Sequence, residues 1–450
     1  MVSVTELVRA MQDVAPPGLL RLDEAARQEL RRLTLALMSA SPDATEEYAR
    51  FLSIRQRRLP VVDTNLAGWL HDKTVLVTGG TGCIGSTLIA QIAEAEPRRL
   101  VSLSRGLTGN GPLLTFAEHV YADLRDYGGL AAAFEEIRPD VVFHLGAQRE
   151  PGLAEAEVHR TVTTNVFGTR NVITAAETYG VGHVVIASTG KALRPYTPDV
   201  YCASKRVVEW MAARAAAHSQ TRYSAARFTH VVDNSIVHAR LLYWREGDVV
   251  RLHAPDIAFY AQSALESAQL LLAAGLGAVP GTLHINAIAD LGWPVNLLDL
   301  ALGVLMRTGS TAPIYFSGYD PGYESMSFPG LYDPTTAGDV SPLISAFEAP
   351  FTERDPSGAV DAFRSKQSED TGQNALLDKL EAVSNSSQEP SEIRCALDAL
   401  SWSLLQRTIE AAPHEIIAST ARRTARYRDR LNPEQKRLLA AIEAYASMAG

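Results

Sequence analysis

At 450 residues the chain is long enough for about three domains. Its 46% hydrophobic and 21% charged residues are those of an ordinary globular protein, and a net charge of -9 speaks against a nucleic-acid partner. Three scattered cysteines, Cys83, Cys202 and Cys395, exclude a disulfide framework and a cysteine metal centre, so no metal is expected. The N-terminus has no basic region followed by an apolar core, and no apolar run reaches membrane-spanning length, so the expectation is a cytoplasmic protein without a membrane partner.

Before about Ala67, the residues Leu19, Leu22, Ala26, Leu30 and Leu33 recur at helical spacing, and Glu46 to Ile54 is a second candidate helix. They predict a helical extension whose apolar stripe covers either the core domain or a second subunit. Lys73 to Gly85, KTVLVTGGTGCIG, then reads as strand, tight turn and helix start, with Gly79, Gly82 and Gly85 at three-residue spacing before the apolar Leu88, Ile89 and Ile92. Glycines suit this place because a side chain would keep a pyrophosphate from the backbone, and the first N–H groups of the helix face an anion.

Arg99 to Ser104 is a second strand. An acid at its end would bind the ribose 2′-hydroxyl of NAD, whereas Ser104 and Arg105 suit a 2′-phosphate, so NADP is expected over NAD. Val120 to Ala122 is a short third strand running into Asp123 and Leu124, and a helix through Phe134 leads to a fourth strand, Val141 to Leu145. Gly146 and Ala147 close that strand with residues small enough to leave room for a flat ring or ribose. A helix carrying Asn165 and Gly168 follows, and His183 to Ala187 is the fifth strand. Strands alternating with helices of this length predict an α/β fold, a doubly wound parallel (Rossmann) sheet.

Directly after the fifth strand, Tyr201 and Lys205 stand four apart at the start of a helix, so phenol and ammonium share one face. A nearby cation favours the phenolate, which predicts a tyrosine able to accept a proton near neutrality. With Thr78, Gly79, Gly82 and Gly85 as TGxxGxxG and Tyr201 and Lys205 as YxxxK, the chain resembles the extended short-chain dehydrogenase/reductase superfamily. Ser188-Thr189-Gly190-Lys191-Ala192, Pro195 and Ser204-Lys205-Arg206 narrow the resemblance to its polysaccharide-biosynthesis branch, which includes inverting UDP-N-acetylglucosamine 4,6-dehydratases and is close to nucleotide-sugar epimerases. Gly146-Ala147-Gln148-Arg149, Asn165-Val166-Phe167-Gly168 and His253-Ala254-Pro255-Asp256 are similar to further segments of that branch, and Tyr319-Asp320-Pro321-Gly322 takes the place of its LRPGEK.

The resemblance implies a cofactor set of Gly79, Thr81, Gly82, Cys83, Ile84, Gly85, Ser104, Arg105, Asp123, Leu124, Gly146, Ala147, Asn165, Tyr201 and Lys205. It also implies catalytic roles: Tyr201 takes the hydroxyl proton, Lys205 holds the ribose and lowers the tyrosine, Thr189 orients the hydroxyl, and Lys191 removes a C5 proton. A small nucleotide-sugar-like substrate and a homodimer are expected, with a sugar epimerase or dehydratase as the activity.

The chain departs from the branch at several positions. Gly190 replaces the aspartate of STDK, and Asp199, in a longer loop, is either a replacement acid or a turn and N-cap residue. The arginines expected to neutralise a diphosphate are replaced by Ala258 and by Tyr319 or Asp320, leaving Arg240, Arg245 or Arg251 as substitutes. These losses keep open a ketoreductase of a non-nucleotide metabolite, and the helical extensions a non-catalytic cofactor-binding scaffold, against which the intact Tyr201 and Lys205 argue. His230 and His238 read as structural histidines. Ser317 to Pro334 is expected as a loop over the substrate cleft, and Thr335 to Glu392 as partly mobile. Ile393 to Ala446 returns to helical periodicity. The expected organisation is a helical N-terminal extension at 1–70, a dinucleotide-binding domain at 71–228, a smaller substrate-binding part at 229–332 and a largely helical C-terminal extension at 333–450.

Overall fold

The computed structural model describes residues 2–60, 66–106, 115–194, 199–234, 236–244, 249–319, 323, 327–332, 337–365, 372–387 and 389–448. Pro195, Arg245, Asp320-Pro321-Gly322 and 333–336, named above, lie outside them. The chain divides into two compact units, one of Arg58–Thr229, Leu265–Asp290 and Met326–Gly450, the other of Met1–Arg57, His230–Ala264 and Leu291–Ser325. This grouping differs from the four consecutive segments expected, because each unit is built from pieces distant in sequence.

The larger unit is organised by a nine-stranded sheet. Its strands are β1 (Thr74–Thr78), β2 (Arg99–Ser104), β3 (Glu118–Tyr121), β4 (Val141–His144), β5 (His183–Thr189), β6 (Arg222–Phe228), β7 (Leu283–Ile288), β8 (Thr352–Arg354) and β9 (Val360–Ser365). The order is β8-β9-β7-β6-β5-β4-β1-β2-β3. Strands β1 to β7 pair in parallel, whereas β9 runs antiparallel to β7, and β8 antiparallel to β9. β1 and β4 are buried along their whole length, as central strands covered on both faces require. The chain reverses direction across the sheet between β1 and β4, which opens a crevice at their C-terminal ends.

Within Thr335 to Glu392, expected to be partly mobile, the β8–β9 hairpin is packed into the sheet. Val360, Asp361 and Phe363 are buried where β9 pairs with β7, and Asp361 accepts from Ser341 N at 2.7 Å. A further helix, Gln373–Ser386, stands in the same span. Beyond it, Leu397, Leu400, Leu404 and Leu405 are buried on the helix Pro390–Ala411, and Pro433 opens the last helix, as the periodicity predicts.

In the smaller unit the N-terminal helices are Val4–Val14, Glu24–Ala40 and Ala44–Ser53. The first is fixed by a reciprocal capping box between Ser3 and Glu6. The second starts after Asp23, which accepts from Ala26 N at 2.8 Å, so Leu19 and Leu22 precede the helix to which the spacing assigned them. The apolar stripe finds its partner within the chain. Leu30, Leu37 and Phe51 share one core with Leu300, Leu302 and Ile314. A Cβ on Gly303 would lie 2.3 Å from Ala44 O, so helix Leu297–Thr308 approaches Ala44–Ser53 at backbone distance. Among the described residues, no helix is long and apolar enough to cross a membrane.

Candidate active site

The glycine turn follows β1 directly. Gly79 sits at φ +72°, and a Cβ there would meet Gly146 N at 2.9 Å, so the ends of β1 and β4 touch backbone to backbone. A Cβ on Gly85 would lie 2.4 Å from Gly79 O and 2.8 Å from Gly80 Cα, whereas one on Gly82 would meet only Gly79 O at 3.3 Å. Gly82 is exposed and caps the helix Cys83–Ala93, with Thr81, Cys83 and Ile84 half-buried beside it. A helix N-terminus capped by a residue without a side chain leaves its first N–H groups to an anion.

At the ends of β2 and β3 the expected cofactor residues stand as follows. Arg105 is exposed, and Ser104 Oγ lies 3.3 Å from Gly106 O and 3.4 Å from His119 Nε2. Asp123 is engaged by Arg125, with Nε 3.1 Å from both carboxylate oxygens and Nη2 at 2.6 Å, and that hydrogen bonding holds its carboxyl below the ordinary range. Leu124 is buried, and its Cδ1 lies 2.7 Å from where a Cβ on Gly146 would be, so Gly146 and Leu124 share one packing site. Ala147 is half-buried beside them.

A hydrogen-bond chain that the sequence reading missed ties this turn to the helix that carries Tyr201 and Lys205. Thr78 Oγ1 accepts from Leu145 N and Gly146 N at 3.2 Å each, and lies 2.8 Å from His144 Nδ1. His144 Nε2 lies 2.9 Å from Thr169 Oγ1, which donates to Asn165 O at 2.6 Å. Thr169 spends its one hydroxyl proton on that carbonyl, so His144 donates through Nε2 and accepts the Thr78 proton at Nδ1. The ring is neutral: burial, and then the charge of Lys205, push it down to about 3. Asn165 lies in a π-turn, Thr163–Phe167, and is 1% exposed. Its Oδ1 accepts from Gln148 N at 2.7 Å, and its Nδ2 donates to Gln148 O at 3.0 Å and Ser204 Oγ at 3.1 Å. The side chain proposed for the cofactor is thus spent on joining the β4 loop to the helix of Tyr201.

That helix is Val200–His218. Asp199 caps it, Oδ1 accepting from Cys202 N at 2.9 Å, and is 1% exposed, so it takes the N-cap role of the two weighed for it. Tyr201 and Lys205 are 9% and 7% exposed on one buried face. Thr189, the last residue of β5, donates through Oγ1 to Phe228 O at 3.3 Å and accepts from Lys191 N at 3.3 Å, and its hydroxyl pulls the neighbouring Tyr201 phenol down. Lys191 is half-buried on the turn Gly190–Leu193.

The phenol corrects the expectation of a tyrosine lowered by its lysine. Burial first, then Cys202 and Asp199, push it above its ordinary value, outweighing the downward pull of Thr189 and Arg149. Lys205 Nζ donates to Ala187 O at 2.9 Å, and burial brings the ammonium down to about 8 against the upward effect of Glu209.

Residues 75–327, more than half of the chain, match the family described as "Polysaccharide biosynthesis protein". The chain belongs to that polysaccharide biosynthesis family. It is thereby an extended short-chain dehydrogenase/reductase related to nucleotide-sugar epimerases and dehydratases, as the motifs implied. It is 30% identical over 282 residues to the probable polysaccharide biosynthesis protein EpsC of Bacillus subtilis, covering 59% of this chain and 46% of EpsC. To UDP-N-acetylglucosamine 4,6-dehydratase (inverting) of Campylobacter jejuni it is 30% identical over 174 residues, covering 36% of this chain and 50% of that enzyme. The X-ray structure of Pen from Bacillus thuringiensis shares the fold, with a TM-score of 0.55 at 21% identity over 67% of this chain and 90% of Pen. The chain spans less than half the length of EpsC.

In the smaller unit, the family segment at His253 meets the residue standing in place of LRPGEK: the His253 and Tyr319 rings are 5.8 Å apart, and Gly318 N donates to His253 O at 3.1 Å. Arg251 lies over the Tyr315 ring at 5.7 Å, and Arg240 is exposed on the helix Ile236–Trp244. His238 is buried with Nε2 3.0 Å from Tyr48 Oη, a packed histidine as expected, and the His230 ring packs at a tilt against Phe259 with ring centres 4.8 Å apart.

Proposed function

We propose that the protein is an NADP-dependent oxidoreductase acting on a nucleotide-sugar-like secondary alcohol, as a sugar epimerase or dehydratase. One observation carries the reading: in a chain of this family, Tyr201 and Lys205 lie one turn apart on the buried face of a helix that is tied by hydrogen bonds to the glycine turn. The turn fits a dinucleotide, because Gly79 and Gly85 pack too closely for any side chain and Gly82 leaves the helix start bare. Gly79, Gly82 and the N–H groups of Cys83 and Ile84 would hold the pyrophosphate, and Ser104 with the exposed Arg105 would take a 2′-phosphate. When bound, the nicotinamide would supply a hydride acceptor for the sugar carbon bearing the reacting hydroxyl.

Tyr201 exchanges the proton of that hydroxyl at its phenol oxygen, and Thr189 orients the hydroxyl from the end of β5. Lys205 brings positive charge to the ribose side of the phenol, and Lys191 is placed on the neighbouring turn to accept a proton from carbon. Burial keeps the phenol protonated at rest, which favours proton donation. That observation supports a second reading, reduction of a ketone on a non-nucleotide metabolite.

The test is to titrate the full chain with NADPH, NADH and UDP, then incubate it with NADP and UDP-N-acetylglucosamine under mass spectrometry. Loss of water marks dehydration, and an isomer of unchanged mass marks epimerisation. Tyr201→Phe is expected to abolish both while keeping cofactor affinity. Failure to bind UDP would overturn the nucleotide-sugar reading in favour of the ketoreductase, and tighter binding of NADH than NADPH would overturn the cofactor preference.

A further inference from the structure

A buried charge network lies behind the strand end that carries Thr189. Ser188 Oγ donates to Glu209 Oε1 at 2.7 Å. Glu209, one turn beyond Lys205, accepts from Arg227 Nε and Nη2 at 2.8 Å each. The remaining edge of the same guanidinium is held by Glu348, with Nη1 to Oε2 at 2.8 Å and Nη2 to Oε1 at 2.9 Å. Arg206 Nη1 reaches both carboxylates, at 3.4 Å from Glu209 and 3.3 Å from Glu348. Arg227, Glu209 and Glu348 are 0%, 2% and 1% exposed. Two guanidinium groups against two carboxylates make the cluster neutral, the condition under which charges survive dehydration.

One of those two negative charges comes from outside residues 75–327. The segment around it is stapled to the catalytic loop at other points as well. Leu343 O accepts from Arg227 Nη1 at 3.1 Å, and Leu343 Cδ2 lies 2.6 Å from where a Cβ on Gly190 would be. The space that a side chain at position 190 would take is thus filled from 341–348. Ser345 secures the carboxylate, its N and Oγ each donating to Glu348 Oε2 at 3.1 Å.

We propose that Glu348 is a positioning residue of the catalytic site: through Arg227 and Glu209 it fixes Ser188, and with it Thr189 against Tyr201. Segment 341–348 is then a working part of the catalytic unit. Without the Glu348 charge, Glu209 has to serve two guanidinium groups in a dehydrated site. Its Oε1 is drawn from Ser188, and the end of β5 loses the anchor next to Thr189. The inference rests on Thr189 and Tyr201 as the reacting pair.

The experiment uses the full chain with Glu348→Gln, Glu348→Asp and the charge-balanced double variant Glu348→Gln/Arg206→Gln. Deuterium exchange is followed over Ser188–Leu193, together with NADPH affinity and turnover of UDP-N-acetylglucosamine. Glu348→Gln is expected to raise exchange over Ser188–Leu193 by about tenfold while the glycine turn keeps its protection. It is expected to lower kcat about tenfold or more, with KM and NADPH affinity within about threefold. Restoring neutrality in the double variant recovers most of the kcat, and Glu348→Asp, which keeps the charge, falls between. An unchanged kcat, or exchange raised uniformly with cofactor affinity lost in step, would overturn the proposal by showing a purely structural role. If Glu348→Gln fails to fold, the same comparison is made with Glu348→Asp. If the wild type turns over no nucleotide sugar, the reading of function fails, while the exchange pattern still decides whether Glu348 anchors Ser188 and Thr189.

Discussion

The three motif glycines are not equivalent, and Gly85→Ala separates them. An added methyl would sit 2.4 Å from Gly79 O and 2.8 Å from Gly80 Cα, both backbone atoms of the turn, which have no rotamer to yield. The turn has to move. Relieving overpacking of this kind costs about 1–3 kcal/mol. If that shift falls on the anion-facing backbone, Kd for the dinucleotide rises roughly five- to 150-fold. At Gly82 the same methyl meets one oxygen at 3.3 Å in an exposed position, so Gly82→Ala is expected to lose less than about twofold by sterics alone. The assay is titration of each variant with NADPH by nicotinamide fluorescence, beside a thermal unfolding curve without cofactor to confirm that both are folded. Equal affinities for the two variants would refute the argument that backbone contact within the turn, and not mere proximity to the ligand, makes Gly85 necessary.

Two further outcomes follow from titrating groups near the site. Burial brings Lys205 to about 8, so its cation is present below that pH and lost above it. kcat/KM is expected to fall on the alkaline side of about 8, and a profile that stays flat well beyond it would refute a role for the charge. Burial pushes the Glu348 carboxyl up, but Arg227, Arg206 and Ser345 outweigh this and hold it at about 2, against an ordinary 4.5. A depressed carboxyl contributes stability that is complete above 4.5 and lost as pH falls through about 2. The contribution is about 3 kcal/mol. The urea-midpoint gap between wild type and Glu348→Gln is therefore expected to narrow on acidification across that window, and a constant gap would refute it.

The first five parallel strands and the glycine turn were legible in the sequence because their causes are local. Five consecutive buried residues in β1, glycines where backbone meets backbone, and a phenol and ammonium one helical turn apart are each imposed within about one element's length. The family followed from the same stretches. Local reading went astray where a signal depends on what packs against it. Leu19 continues a helical spacing yet precedes the helix, which waits for its Asp23 cap. β8 and β9, in a span too polar to read as strands, form against the ready edge of β7.

The phenol shows the limit most directly. Spacing places Lys205 on the face of Tyr201, but the ammonium turns to Ala187 O and burial decides the sign of the tyrosine shift. Glu348 and Leu343 carry no motif, and stand more than a hundred residues from the groups they hold. The sequence by itself determined the first five parallel strands, the glycine turn and the Tyr201–Lys205 spacing, since neighbouring residues specify those. Only the tertiary structure decided that Gly190 is filled by Leu343 and that a remote glutamate balances Arg227, because desolvation and charge balance depend on everything that surrounds a group.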